Sequence, residues 1–252
     1  MNKWWVGVLL CIGTQAVAAD CRYEQTLDRT LDVTNAESLR IIAAAGDLVV
    51  TGIADAQQVS ITVSICASKK AWLNQARLET RADTAASIEM QLPERGTGFS
   101  FFGRSYIYAD LVLEVPADLA LEIRDSSGDT ELKRVGALQL DDSSGDILIN
   151  EVNGRIEIND SSGDIRLNRV RGELTITDSS GDVVARDISG SVRVVSDSSG
   201  DLRFRDVAGS VLVENDSSGD IVTARIGGDV TVLKDGSGDI RTDSVLGQIK
   251  LP

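Results

Sequence analysis

The side chains best placed to do chemistry in this 252-residue chain are carboxylates, and they recur in a fixed phrase. Asp-Ser-Ser-Gly-Asp begins at Asp125, Asp142, Asp160, Asp178, Asp197 and Asp216, and once more at Asp235 with Gly236 in place of the first serine. The spacings are 17, 18, 18, 19, 19 and 19 residues. Closing each phrase is a second column, Asp129, Asp146, Asp164, Asp182, Asp201, Asp220 and Asp239. Hard oxygen ligands at regular intervals suit a hard cation, so Ca²⁺ held between units is one reading of the two columns. Calcium-binding solenoids place Asp two residues after the second Gly of Gly-x-Gly-x-Asp, whereas here Asp follows Gly directly.

The other reading is structural. The leading Asp accepts hydrogen bonds from backbone N–H groups two residues on, Gly supplies a positive φ, and the closing Asp opens a strand. If units stack, two unit charges about 4.8 Å apart repel by roughly 0.9 kcal/mol in water and about 3.5 kcal/mol at an effective dielectric of 20. Hydrogen bonds to charged groups return about 1.5 to 3 kcal/mol each. A ladder satisfied by its own turns therefore stands without a ligand, and no cofactor is expected, Ca²⁺ being the alternative.

Catalysis finds little support. The chain has no histidine, which removes Ser-His-Asp and Cys-His arrangements and His-based zinc sites. Paired carboxylates abound, but an acid and a base need different environments, and these turns are near copies. The expectation is a non-catalytic protein.

The elements that position the phrase follow from the residues between its copies. Counting the leading Asp as zero, position five holds Thr130, Ile147, Ile165, Val183, Leu202, Ile221 and Ile240. Position seven holds Leu132, Ile149, Leu167, Ala185, Phe204, Thr223 and Thr242, and a third column runs from Val135 through Val152, Val170, Ile188, Val207 and Ile226 to Val245. A turn glycine and an alternating pair such as Ile156 and Ile158 complete the unit. Alternation bounded by Gly, Asp and Ser reads as two short strands with one buried face. One unit cannot bury that face alone, and a period near twenty is a solenoid's. The predicted fold is all-β, a single-chain parallel β-solenoid (β-helix) with two-strand rungs of 18–19 residues and an irregular N-terminal cap. The step from 18 to 19 adds one residue ahead of the acidic turn, placed at Ser196, Asn215 and Lys234.

Residues 1–19 read as a signal peptide: Lys3, an apolar run from Trp4 to Gly13, then Ala16-Val17-Ala18-Ala19. That run is far shorter than the roughly 20 residues of a spanning helix, so no membrane span is expected after cleavage. A periplasmic or secreted location follows, and Cys21 and Cys66 become an even pair in an oxidising compartment, read as a disulfide. The net charge of −14 repels phosphate backbones and anionic lipid, excluding nucleic acid and membrane surfaces as first partners.

Residues 20–108 read as the cap with first irregular rungs, and 109–252 as the regular repeats, one continuous domain. Within the cap, Ala45-Gly46-Asp47 sits where Ser-Gly-Asp sits later, and Ser68 caps a short helix to Gln75. A hairpin follows over 77–92. Phe99, Phe101, Phe102, Tyr106 and Tyr108 cluster near glycines, as core-closing residues or as a contact surface for a protein or glycan. Ile249 and Leu251 face inward with no evident cap beyond them, so end-to-end association of copies through that edge is a further expectation.

The Ser-Gly-Asp-Ile-x-Leu rhythm, the mid-unit glycine, the opening Ala-Gly-Asp-Leu-Val-Val-Thr-Gly and the secretory start together resemble the bacterial putative-adhesin family of β-strand repeat domains, over about residues 30–252. The resemblance implies a parallel β-solenoid that binds an envelope or surface partner. It implies no catalytic residues.

Overall fold

The computed structural model describes residues 21–93 and 105–252. Two sheets of 11 strands face each other across one apolar core. The cap comprises β1 (Tyr23–Asp32), β2 (Ser38–Ile42), β3 (Leu48–Ile53), β4 (Gln58–Ala67), the single-turn helix α1 (Lys70–Leu73), β5 (Arg77–Arg81) and β6 (Ala85–Gln91). Then come β7 (Ile107–Pro116), β8 (Ala120–Arg124), β9 (Thr130–Val135) and β10 (Leu138–Asp141). The same alternation runs from β11 (Ile147–Val152) and β12 (Ile156–Asn159) to β21 (Ile240–Val245) and β22 (Ile249–Lys250).

Each rung pairs in parallel with the next, Ile147 opposite Ile165 and Ile156 opposite Leu174, so identical positions stand above one another. That register buries the predicted columns: Ile147, Ile165, Val183, Leu202 and Ile221 are all fully buried, and Phe204 is the largest side chain among them. The added residue lies one place earlier than the spacing predicts. Val194 pairs with Ile176 and Ser196 with Thr177, so Val195 is the bulge, which leaves the buried columns in phase.

Rung order departs from chain order in the cap. In one sheet β3 lies between β7 and β9, and in the other β2 lies between β6 and β8. The first rung of the chain is thus inserted beneath the rung made by β8 and β9, and Ala45-Gly46-Asp47 stacks directly under Ser127-Gly128-Asp129. Antiparallel β1 and β4 close one sheet, and the β5–β6 hairpin closes the other. Both use antiparallel pairing where the solenoid's parallel rungs end, which caps the core. Cys21 and Cys66 form the expected disulfide, 5.6 Å between Cα atoms, tying the start of β1 to β4. Ser68 does not cap α1: Lys69 holds that position, and Ser68 Oγ instead accepts the Tyr106 N–H at 3.0 Å. At the last rung Leu246, Ile249 and Leu251 stand 85%, 49% and 48% exposed. Among the described residues no helix is long and apolar enough to cross a membrane.

Candidate functional site

Stacking lines up the acidic turns on one corner of the solenoid, and the two aspartates of each turn meet opposite surroundings. The leading residues form an interior file. Asp125, Asp142, Asp160, Asp178, Asp197 and Asp216 are all at most 5% exposed. Their Oδ1 atoms accept the turn's own N–H groups, such as Ser162 to Asp160 at 3.2 Å and Ser199 to Asp197 at 3.1 Å. Burial, and then the charge of neighbouring aspartates, pushes Asp125 up to about 6 and Asp160 and Asp197 up to about 7. The closing residues form an exterior file. Each Oδ1 accepts the N–H of the aspartate one rung on, from Asp110 to Asp47, Asp129, Asp146, Asp164, Asp182, Asp201, Asp220 and Asp239. Arg166, Arg203 and Arg241 each bridge two members of this file, one arginine every second rung. The N–H bond from Asp201 and the Arg203 guanidinium hold the Asp182 carboxyl below the usual carboxylate range.

The glycine of the turn permits this approach. Gly145, Gly163, Gly181 and Gly200 have φ between 129° and 135°, and a Cβ on Gly181 would lie 1.9 Å from the carbonyl oxygen of Gly163. Among the described residues no three Asp, Glu, Cys or His side chains converge as a metal centre. Phe99, Phe101 and Phe102 lie outside the described residues. Tyr106 and Tyr108 are on the cap edge, ring centroids 6.3 Å apart, with the Tyr106 hydroxyl accepting the Arg22 N–H.

The corner opposite the acidic ridge carries a site that the motif reading missed. One residue of every rung adopts a left-handed conformation there: Arg134, Glu151, Arg169, Asp187, Asp206, Arg225 and Ser244, with φ between 55° and 63°. Such a φ costs a non-glycine residue on the order of 1–3 kcal/mol, and glycine is the ordinary choice. These rungs keep charged or hydroxyl side chains instead. Arg134, Glu151, Arg169 and Asp187 line a groove of about 530 Å³ together with Val135, Val152, Val170, Asn153, Arg171 and Ser189. The same corner continues into a hollow of about 440 Å³ between Asp206 and Leu246. Ion pairs Arg169–Glu151 at 2.7 Å and Arg225–Asp206 at 2.5 Å brace the wall between rungs. The signal was present in the sequence: position nine of the unit never holds an apolar residue.

The family model for Toastrack DUF4097 matches residues 30–241. The chain belongs to the Toastrack DUF4097 family. This agrees with the resemblance carried by the Ser-Gly-Asp rhythm, and with the nearly all-β solenoid. The Toastrack chain is similar to a solved structure described as a putative adhesin from Bacteroides fragilis, at 12% identity and a TM-score of 0.45, covering 90% of this chain and 97% of that one. A putative lipid binding protein from Parabacteroides distasonis is similar at 15% identity and 0.44, covering 89% and 96%. A putative cell adhesion protein from Clostridium sporogenes is similar at 12% identity and 0.32, covering 91% and 99%. No curated protein matches the chain.

Proposed function

We propose that the protein is a non-catalytic, extracytoplasmic binding scaffold of adhesin type, and that its groove holds an extended glycan of the envelope or of a facing surface. The observation that carries this is the retention of arginine, glutamate and aspartate at left-handed positions where glycine would be less strained. Strain kept in rung after rung is accounted for if those side chains meet a ligand. A sugar chain matches a lining that mixes valines with guanidinium, carboxylate, amide and hydroxyl groups, and about 530 Å³ lies within the usual range of ligand sites. A peptide adding as a strand would need a free sheet edge, and this groove runs across the strands. The disulfide supports an oxidising location.

Glycine at these positions separates binding from folding. The triple variant Arg134→Gly, Arg169→Gly, Asp187→Gly is expected to melt at or above the wild-type temperature while losing binding on an array of envelope and surface glycans. Wild-type protein that binds nothing on the array, or a triple variant that binds as well as wild type, refutes the assignment.

A further inference from the structure

Each interior aspartate commits Oδ1 to its own turn. Oδ2 of Asp142, Asp160, Asp178, Asp197 and Asp216 has no hydrogen-bond donor, and these side chains are 0–5% exposed. Five orphan carboxylate oxygens, one per rung in parallel register about 4.8 Å apart, are an unstable arrangement if all are charged. Among the described residues, the charges that raise the file are those of other aspartates. Asp125 faces Asp142, and Asp142 faces Asp129. Asp160 faces Asp142 and Asp178, and Asp178 faces Asp164. Asp197 faces Asp178 and Asp216, and Asp216 faces Asp235 and Asp201. A buried acid among like charges is relieved by taking up a proton.

We propose that the interior file is a proton-binding site: its stacked, buried carboxyls take up protons as pH falls below neutral, which removes charge from oxygens that no donor reaches. The proton comes from solvent, and no other bond changes. Burial and the adjacent aspartates raise Asp160 and Asp197 to about 7 and Asp125 to about 6, and Asp142, Asp178 and Asp216 are raised as well. An unfolded aspartate titrates near 3.8, so between there and about 7 the folded chain holds protons that the unfolded chain has released. Stability from the file is full below 3.8 and is lost as pH rises through about 6 to 7. The chain has no histidine, the side chain that ordinarily titrates in that interval. Outside the file Asp110, half-buried, is also raised, by burial and then by Asp47.

The experiment is a thermal melt of the full chain from pH 5 to pH 8, with infrared spectra at pH 7. Wild type is expected to melt on the order of 10 °C lower at pH 8 than at pH 5. Asp160→Asn with Asp197→Asn replaces two of the titrating carboxyls by neutral amides, and should flatten that dependence by at least about half while raising the melting temperature at pH 8. The wild-type spectrum should show the carbonyl stretch of a protonated carboxyl, and the double variant should lose it. A wild-type melt that is level or rises from pH 5 to pH 8 overturns the proposal, as does a spectrum without the acid band. A melt at pH 8 that falls on adding chelator overturns it too, because a metal cation then fills the place given to the proton. Should the double variant not fold, the wild-type melt and spectrum still decide.

Discussion

Replacing Gly181 by alanine perturbs the contact on which both ridges depend. At φ +135° an L-residue is strained by about 1–3 kcal/mol. The new Cβ would stand 1.9 Å from the Gly163 carbonyl oxygen, against the 3.4 Å at which ordinary contact begins, so the turn must move by about 1.5 Å. That movement stretches the rung bonds from Gly181 N–H to Ser199 O at 3.0 Å and from Gly163 N–H to Ser180 O at 3.1 Å. Each contributes about 1 kcal/mol, bringing the expected loss to about 3–5 kcal/mol. For a chain of this size the melting temperature should drop by on the order of 10 °C, followed by circular dichroism together with a urea titration. Ser179→Ala in the same turn is the control. Its side chain is exposed, and the change should stay within about 0.5 kcal/mol. A loss below about 1 kcal/mol for Gly181→Ala would show that neighbouring turns do not press on each other, and the stacked ridge would have to be abandoned.

Phe204, 1% exposed in the column of position seven, should cost about 3–5 kcal/mol on truncation to alanine. A smaller loss in urea unfolding would mean that the core is loosely packed there. Removing the disulfide as Cys21→Ser with Cys66→Ser frees a closure of 45 residues, worth about 4 kcal/mol on chain-entropy grounds, and a melt unchanged by reductant would contradict this. Arg203→Gln breaks the bridge to Asp182 and Asp201 at a side chain 43% exposed, so the loss should be under about 1 kcal/mol and shrink in salt. A loss above about 2 kcal/mol, insensitive to salt, would show the bridge to be a buried-type pair.

The regular rungs were legible because every copy repeats the same local decision. An inward residue at position five or seven, glycine before the closing aspartate, and a β-branched residue in the third column each favour the same coil, and seven copies reinforce it. The cap was less legible for a physical reason. β2 and β3 carry the rhythm of a rung, but their place between the rungs of β6–β7 and β8–β9 is decided by long-range pairing that no local spacing encodes. The bulge at Val195 shows the same limit on a smaller scale, since periodicity locates an extra residue only to within a neighbour. The groove was missed because its residues, Arg134, Glu151, Arg169 and Asp187, share a backbone conformation and not a side-chain type. A column that is never apolar looks like ordinary solvated surface until φ is known.

One residue type, repeated two positions either side of the turn's central serine, is driven in opposite directions by where the rung places it. On the outside Asp182 and Asp220 are lowered, first by the N–H of the aspartate on the next rung and then with help from Arg203 and Arg241. Their contribution is present above 3.8 and is lost as pH falls through their depressed values. On the inside Asp160 and Asp197 are raised to about 7, and their contribution is lost as pH rises. The exterior file therefore sets the acid limit of the stacked turn and the interior file sets its alkaline limit, leaving the firmest stacking between about pH 4 and 6. Both limits act through the same backbone, because the N–H of the glycine between the two aspartates donates to a serine carbonyl of the next rung. At the opposite corner Arg169 and Arg225 are held against Glu151 and Asp206. If the groove holds a glycan, loosening of the rungs above neutral pH should weaken its binding, and loss of binding should track loss of rung stability and not precede it.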